Sequence, residues 1–132
     1  MTSNDSNHRS TAGVTALTNL TTSQLSIWTG QKLYPGLPLY NMALAFDLRG
    51  PVEVDHFRRA FQALVDSTDA LRTVFDENHG IPGQRVLPAM PYEVRVFDFS
   101  REAEPCVAAR SWISERCVEP FGLDHCLFES SL

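Results

Sequence analysis

The stretch DSTDALRTVF, residues 66–75, decides how the middle of this chain is expected to fold. From Leu71 to Phe75 the side chains alternate between two faces, one of which suits a core, so the pattern predicts a strand. Arg72 lies on the other face, beside Val74. Because an unpaired buried charge costs several kcal/mol, we expect its guanidinium either to have a partner, such as a carboxylate of this chain or of a region beyond it, or to reach solvent at the rim of a sheet.

A helix is predicted upstream of this stretch. Thr21 and Gln24 have the spacing of a capping box, and Leu20 and Leu25 occupy the two positions of a hydrophobic staple. The residues that come next are rich in proline and glycine, which helix interiors do not accept. The helix is therefore expected to end at about Leu33.

The clearest strand pattern in the chain is LYNMALAFDLRG, residues 39–50. Every second residue is large and apolar, and the other face carries two alanines that are small enough for close packing. A second helix should follow, with Asp55 as its cap. Its apolar stripe, which is expected to pack on a sheet, consists of Phe57, Phe61, Leu64 and Val65.

The second half of the chain carries three more strand-like segments and one helix. Residues 84–87 are expected to return as a hairpin partner after the turn-rich sequence ENHGIPG. Residues 92–99 and 126–132 are predicted strands, and the helix between them should begin near residues 100–105 and end at about Val118. The element order predicts helices packed on a mixed sheet, an incomplete α/β sandwich of the α+β type.

Composition limits the classes of function. Lys and Arg are scattered and the net charge is −5, which argues against a nucleic acid partner. No apolar run approaches the ~20 residues of a membrane-spanning helix, and the start is neither cationic nor hydrophobic, so we expect a cytoplasmic protein with no membrane partner. Residues 1–19 are polar and are predicted to form a disordered arm, which leaves residues 20–132 as the folded part.

Residue spacing reveals no catalytic machinery. The histidines are interpreted as solvent-facing or turn residues, and only the placement of His125 stays open. The cysteines lack a CxxC spacing and are expected to be ordinary buried thiols; they are Cys106, Cys117 and Cys126. We therefore predict no catalytic, cofactor-binding or metal-ligating residue.

Two segments nevertheless resemble the opening motifs of condensation domains from nonribosomal peptide synthetases, in the chloramphenicol acetyltransferase-like superfamily. LTTSQLSIWTGQKLYPGLPLYNMALAFDLRG, residues 20–50, is similar to the motif Ser-x-Ala-Gln-x-Arg-Leu-Trp and to the Pro-x-Tyr-Asn passage after it. Residues 55–75 resemble Arg-His-Glu-x-Leu-Arg-Thr-x-Phe. The matching positions, interpreted as structural motif residues, are Ser23, Gln24, Trp28, Tyr40, Asn41, Leu71, Arg72, Thr73 and Phe75. Departures from the motifs, such as Asp69 in place of glutamate, leave the condensation subtype open.

The resemblance implies a fold, a reaction and partners. The family has two lobes with a tunnel between them, into which the phosphopantetheine arms of two peptidyl or acyl carrier proteins reach. An acceptor amine attacks a donor thioester there and forms an amide in secondary metabolite biosynthesis. The family's His-His-x-x-x-Asp-Gly motif follows the region where this chain stops, so residues 20–132 are expected to be the front part of the first lobe, inactive alone and without a cofactor of their own.

Three classes of function stay open. The chain is a condensation-domain fragment, a module that binds a carrier protein or a partner chain through an incomplete sheet, or a small transferase that uses His125. If residues 126–132 form a terminal strand without a neighbour, the unpaired edge predicts self-association. The start at Met1 further predicts that no carrier domain precedes this region in the same polypeptide.

Overall fold

The computed structural model of the chain describes residues 19–132. The predicted arm lies outside the described residues except for its last member, Asn19, which exchanges hydrogen bonds with Gln84. The elements are helix α1 (Thr22–Leu33), helix α2 (Val54–Ser67), a short 3₁₀ helix (Asp69–Arg72), strands β1 (Thr73–Asn78) and β2 (Ile81–Val86), and helix α3 (Pro105–Cys117).

The start of α1 confirms the capping box. The Thr21 hydroxyl accepts a hydrogen bond from the backbone N–H of Gln24 at 3.2 Å, and the Gln24 side chain accepts one from the Thr21 N–H at 2.8 Å. Leu20, the first staple residue, is buried. The cap satisfies backbone donors that would otherwise have no partner in the first turn, which is why the helix begins at Thr22.

Helix α2 begins two residues earlier than predicted, because Glu53 and not Asp55 is its N-cap. Asp55 lies in the first turn, where a carboxylate is favourable beside the positive end of the helix dipole. The predicted stripe is confirmed for Phe61 and Val65, which belong to the core. It is wrong for Leu64, which lies at the edge of the stripe and is 48% exposed.

Strands β1 and β2 form the predicted antiparallel hairpin, with Thr73 opposite Val86. The predicted start of the first strand at Leu71 is wrong, because the 3₁₀ helix includes this residue and the strand begins at Thr73. The return strand is longer than predicted. A tight turn at His79 and Gly80, both with positive φ, lets pairing begin directly after it.

Residues 39–50 do not form the predicted strand. Among the described residues no segment pairs with them, and a strand needs a neighbour to satisfy its backbone groups. The predicted strands at 92–99 and 126–132 are reduced to one parallel bridge between Arg95 and Ser131. The described part of the chain is therefore an α+β unit, in which an antiparallel hairpin and one separate bridge replace the predicted mixed sheet.

The core is small and lies between α2 and the hairpin. Its buried and half-buried members are Val65, Val74, Met90, Phe61, Leu71, Leu87, Tyr92, Cys126 and Phe128. The Tyr92 ring lies 4.8 Å from the Phe128 ring and 5.2 Å from the Phe61 ring, so aromatic packing joins the C-terminal segment to α2. A second contact, 4.3 Å between the rings of Phe97 and Trp112, attaches α3.

Candidate functional site

The nine motif residues lie in three places: the first two turns of α1, the loop after α1, and the junction between α2 and β1. In each place at least one motif side chain makes a hydrogen bond to a backbone group. The groove beside Trp28 and Phe75, within residues 19–132, is shallow and open to solvent.

Arg72 is the centre of the α2–β1 junction, and its side chain is only 12% exposed. Its Nη2 lies 2.6 Å from a carboxylate oxygen of Asp69. Its Nε donates to the Val65 carbonyl at 3.1 Å, and its Nη1 donates to the Leu87 carbonyl at 2.6 Å. The expectation of a carboxylate partner in this chain is confirmed, and the alternative of an arginine that reaches solvent is wrong.

The other three residues of this motif support the same junction. Leu71 packs on the core, and the Thr73 hydroxyl donates to the Asp69 carbonyl at 2.9 Å. The Phe75 N–H donates to the Leu123 carbonyl at 3.0 Å, so the outer edge of β1 is occupied by a loop from the end of the chain. The motif therefore acts as a structural joint.

The first motif connects α1 to the hairpin. The Gln24 side chain, besides capping α1, donates from Nε2 to the Gln84 side chain at 2.8 Å. Ser23 is exposed in the first turn. Trp28 lines a shallow groove of about 410 Å³ together with Phe75. Lys32 lies over the Trp28 ring at 5.3 Å, and its ammonium is paired with Glu77 at 2.9 Å.

Tyr40 and Asn41 fasten the loop after α1 to two helices. The Tyr40 hydroxyl lies so close to Gly30 that any side chain at position 30 would collide with it. The Asn41 side chain donates from Nδ2 to the carbonyls of Cys117 at 2.9 Å and Glu119 at 2.8 Å. It therefore supplies a donor to the last carbonyl of α3 and to a carbonyl just past the end of the helix.

Replacing Asn41 with alanine should remove both of these hydrogen bonds. We expect Asn41→Ala to lower the free energy of unfolding by about 1 kcal/mol, because the last carbonyl of α3 and the Glu119 carbonyl lose their donor but can be partly rehydrated. Chemical denaturation followed by circular dichroism would measure the loss. Asn78→Ala, at the exposed end of β1, is the matched control; an equal loss in both variants would contradict the capping role.

A charged cluster attaches the C-terminal segment, residues 126–132, to α3 and to Arg95. The spacing of residues in the sequence did not reveal it. The Glu129 carboxylate accepts a hydrogen bond from Arg116 Nε at 2.7 Å and is also paired with Arg95. Hydrogen bonding to Arg116 holds the pKa of Glu129 below its ordinary value, and the same bond raises the pKa of Arg116. The Tyr92 hydroxyl accepts the Ser130 N–H at 2.5 Å, and burial raises the pKa of Tyr92.

The side chains best suited to catalysis are not brought together. His125 is exposed in a turn, 3.6 Å from the Asp124 carboxylate. The prediction of buried thiols is wrong for Cys106, which is exposed, while Cys117 and Cys126 are half-buried. Burial raises the pKa of the Cys126 thiol.

In residues 19–132 no group of three or more His, Cys, Asp or Glu side chains has a metal-binding arrangement. In the same residues no helix is long and apolar enough to cross a membrane.

Residues 15–131 match the family model of the condensation domain. The chain belongs to the condensation domain family. The curated relatives agree: it is 31% identical over 115 residues to a dimodular nonribosomal peptide synthase of Bacillus subtilis (strain 168), with 86% of this chain and 5% of the relative covered. It is 32% identical over 124 residues to an isonitrile lipopeptide synthase of Streptomyces coeruleorubidus, covering 93% of this chain and 8% of the relative.

A solved structure supports the same family and the predicted fold class. A variant of the starter condensation domain of rhizomide synthetase RzmA, crystallised in complex with C8-CoA and Leu-SNAC, matches with a TM-score of 0.74 at 30% identity. The match covers 86% of this chain and 26% of that one. The chain thus spans about a quarter of the solved condensation domain and less than a tenth of the two curated relatives.

Proposed function

We propose that residues 20–132 are the front part of a nonribosomal peptide synthetase condensation domain. The complete domain would join a donor acyl thioester to an acceptor amine and form an amide. The observation that carries the proposal is the family match over residues 15–131, which contains both opening motifs. The role of these residues would be to build the first lobe, because the motif side chains make hydrogen bonds to backbone and to neighbouring side chains. Examples are Arg72, Asn41 and Gln24.

We expect no amide-forming activity from this chain alone. Thioesters are already activated, so holding the amine and the carbonyl in line could supply up to ~7–11 kcal/mol of the acceleration. That requires a site enclosed from two sides, whereas the groove lined by Trp28 and Phe75 is open to solvent. A positioned histidine would add proton handling, and the sequence contains no His-His-x-x-x-Asp-Gly motif.

The proposed partners are peptidyl or acyl carrier proteins, whose phosphopantetheine arms would present both substrates. The proposed compartment is the cytoplasm. Support for the carrier proteins as partners comes from the names of the relatives, a dimodular nonribosomal peptide synthase and an isonitrile lipopeptide synthase. Binding of a phosphopantetheinylated carrier protein, measured by titration calorimetry against the same carrier without its arm, would test the first of these proposals.

Two measurements test the proposed function. We expect the gene to continue in frame after Leu132 into a His-His-x-x-x-Asp-Gly motif, and a different fold encoded there would contradict the proposal. We also expect no amide product when the 132-residue chain is incubated with C8-CoA and Leu-SNAC and followed by mass spectrometry. A product formed faster than in a protein-free control would show that this chain is a transferase by itself.

A second candidate function is an interaction module that binds another chain through an incomplete sheet. The observation in its favour is the exposed apolar segment at residues 42–48. It predicts binding without turnover, whereas the condensation-domain proposal predicts binding as one part of a larger enzyme.

A further inference from the structure

Within residues 19–132, the backbone of the C-terminal segment, residues 126–132, is attached to its neighbour by a single parallel bridge. At this bridge the Leu132 N–H donates to the Arg95 carbonyl at 2.8 Å, and the Leu132 carbonyl accepts from the Phe97 N–H at 2.8 Å. A ladder of many bonds would resist a shift of one strand along the other, but a single bridge specifies the register only weakly. Side chains therefore have to fix it.

The Glu129 side chain supplies what the bridge lacks. Its carboxylate is 17% exposed, accepts a hydrogen bond from Arg116 Nε at 2.7 Å and is also paired with Arg95. Arg95 belongs to the bridge and Arg116 to the last turn of α3, so one carboxylate is fixed to two different elements. The Tyr92 hydroxyl holds the next residue by accepting the Ser130 N–H at 2.5 Å.

Charge favours one register of this segment over its neighbours. Glu129 is the only charged side chain in the sequence CLFESSL, residues 126–132. A slip by one residue would turn it to the opposite face. Slips by one or two residues would place an uncharged side chain between the two arginines, namely Leu127, Phe128, Ser130 or Ser131. Both guanidinium groups would then lose their charged acceptor, which costs more than the loss of a neutral hydrogen bond.

We infer that Glu129 is a positioning residue, which fixes the register of residues 126–132 and thereby the direction in which side chains point after Leu132. Here the inference rests on the proposed function, in which the chain after Leu132 carries the His-His-x-x-x-Asp-Gly motif. Successive side chains of an extended segment point to opposite faces, so a slip of one residue would turn the following side chains around. It would also move them by about 3.3 Å, enough to take an imidazole out of hydrogen-bond reach of a reacting group.

Disulfide trapping in the 132-residue chain tests the register without any assumption about function. The two hydrogen bonds of Leu132 flank Val96, so Val96→Cys with Leu132→Cys would place two thiols opposite each other, within reach of a disulfide. Val96→Cys with Ser130→Cys is the slipped pair, whose Cα atoms would lie about 8 Å apart in the observed register, too far to bridge. Under oxidised glutathione we expect mass spectrometry to map a 96–132 disulfide and no 96–130 disulfide.

Glu129→Gln should lower the ratio of 96–132 to 96–130 disulfide at least about tenfold, because the charged acceptor that selects the register is gone. Glu129→Asp keeps the charge and should retain most of the selectivity. Glu77→Gln is the matched control, since Glu77 also forms an ion pair, with Lys32 at 2.9 Å, but between β1 and α1. A segment that is merely less stable would still cross-link in its observed register. A ratio that stays high in Glu129→Gln, or falls equally in Glu77→Gln, would therefore overturn the inference.

NMR of the complete domain, labelled at histidine, tests the consequence for the motif. A gene without the His-His-x-x-x-Asp-Gly motif after Leu132 would contradict the proposed function and the positioning role together, while the disulfide ratio would still decide the register. With the motif present, we expect Glu129→Gln to shift the imidazole signals of its histidines and Glu77→Gln to leave them in place. Signals that do not move in Glu129→Gln would overturn the positioning role and leave the proposed function standing.

Discussion

Arg72→Ala is expected to lower the free energy of unfolding by about 3–5 kcal/mol, because each hydrogen bond from a charged donor to backbone contributes about 1.5–3 kcal/mol. The carbonyls of Val65 and Leu87 would lose their donor at a site where the arginine side chain is only 12% exposed. Urea denaturation followed by circular dichroism would measure the loss. For a domain of this size, the expected loss is a large share of the total stability.

The variant Asp69→Ala distinguishes two ways in which Arg72 could stabilise the junction. One is its ion pair with Asp69, and the other is its hydrogen bonds to backbone carbonyls. Asp69 is 76% exposed, so its ion pair is screened by water and should contribute no more than about 1 kcal/mol. A large effect in Arg72→Ala beside a small one in Asp69→Ala would show that the guanidinium acts through the carbonyls. Equal effects would show instead that the ion pair holds the junction.

The second large effect is expected at Glu129. Glu129→Gln should cost about 1–3 kcal/mol at neutral pH, because two arginines lose a charged acceptor. The carboxylate is 17% exposed, so water replaces that acceptor only in part. Thermal unfolding of the two chains would measure the difference, and Glu119→Gln, at the more exposed partner of Arg116, is the control.

The same pair of chains should differ in their response to acid. The pKa of Glu129 is held below its ordinary value by Arg116, so the ionised carboxylate stabilises the fold above the unfolded pKa of about 4.3. That stabilisation is lost as the pH falls through the lower pKa of the folded state. We therefore expect the gap between the wild type and Glu129→Gln to be constant near neutrality and to close below about pH 4. A gap that stays open in acid would contradict this role.

What could be predicted from sequence was local. The capping box at Thr21 and Gln24 depends on residues three apart, and the hairpin depends on a short turn, so both were read correctly. The carboxylate beside Arg72 was foreseen as a type of partner, but the carbonyls of Val65 and Leu87 come from two different elements.

The missed features depend on distant segments. The alternation at residues 39–50 is typical of a strand. A strand forms only beside a neighbour, however, and residues 19–132 do not provide one. The Glu129 cluster combines residues from α3 and two irregular segments, and no periodicity relates them. The exposure of Cys106 follows from its place in the first turn of α3, which composition does not reveal.

The hydrogen bond from Asn41 to the Cys117 carbonyl joins residues that are 76 positions apart. Closing so long a loop costs entropy, and this cost has to be offset before Asn41 can bond to the C-terminal end of α3. Helix α1 and the hairpin close over a few residues and face no such barrier. We therefore expect α1 and the hairpin to form first. The hydrogen bonds from Asn41 to the C-terminal end of α3 should form late on the folding pathway.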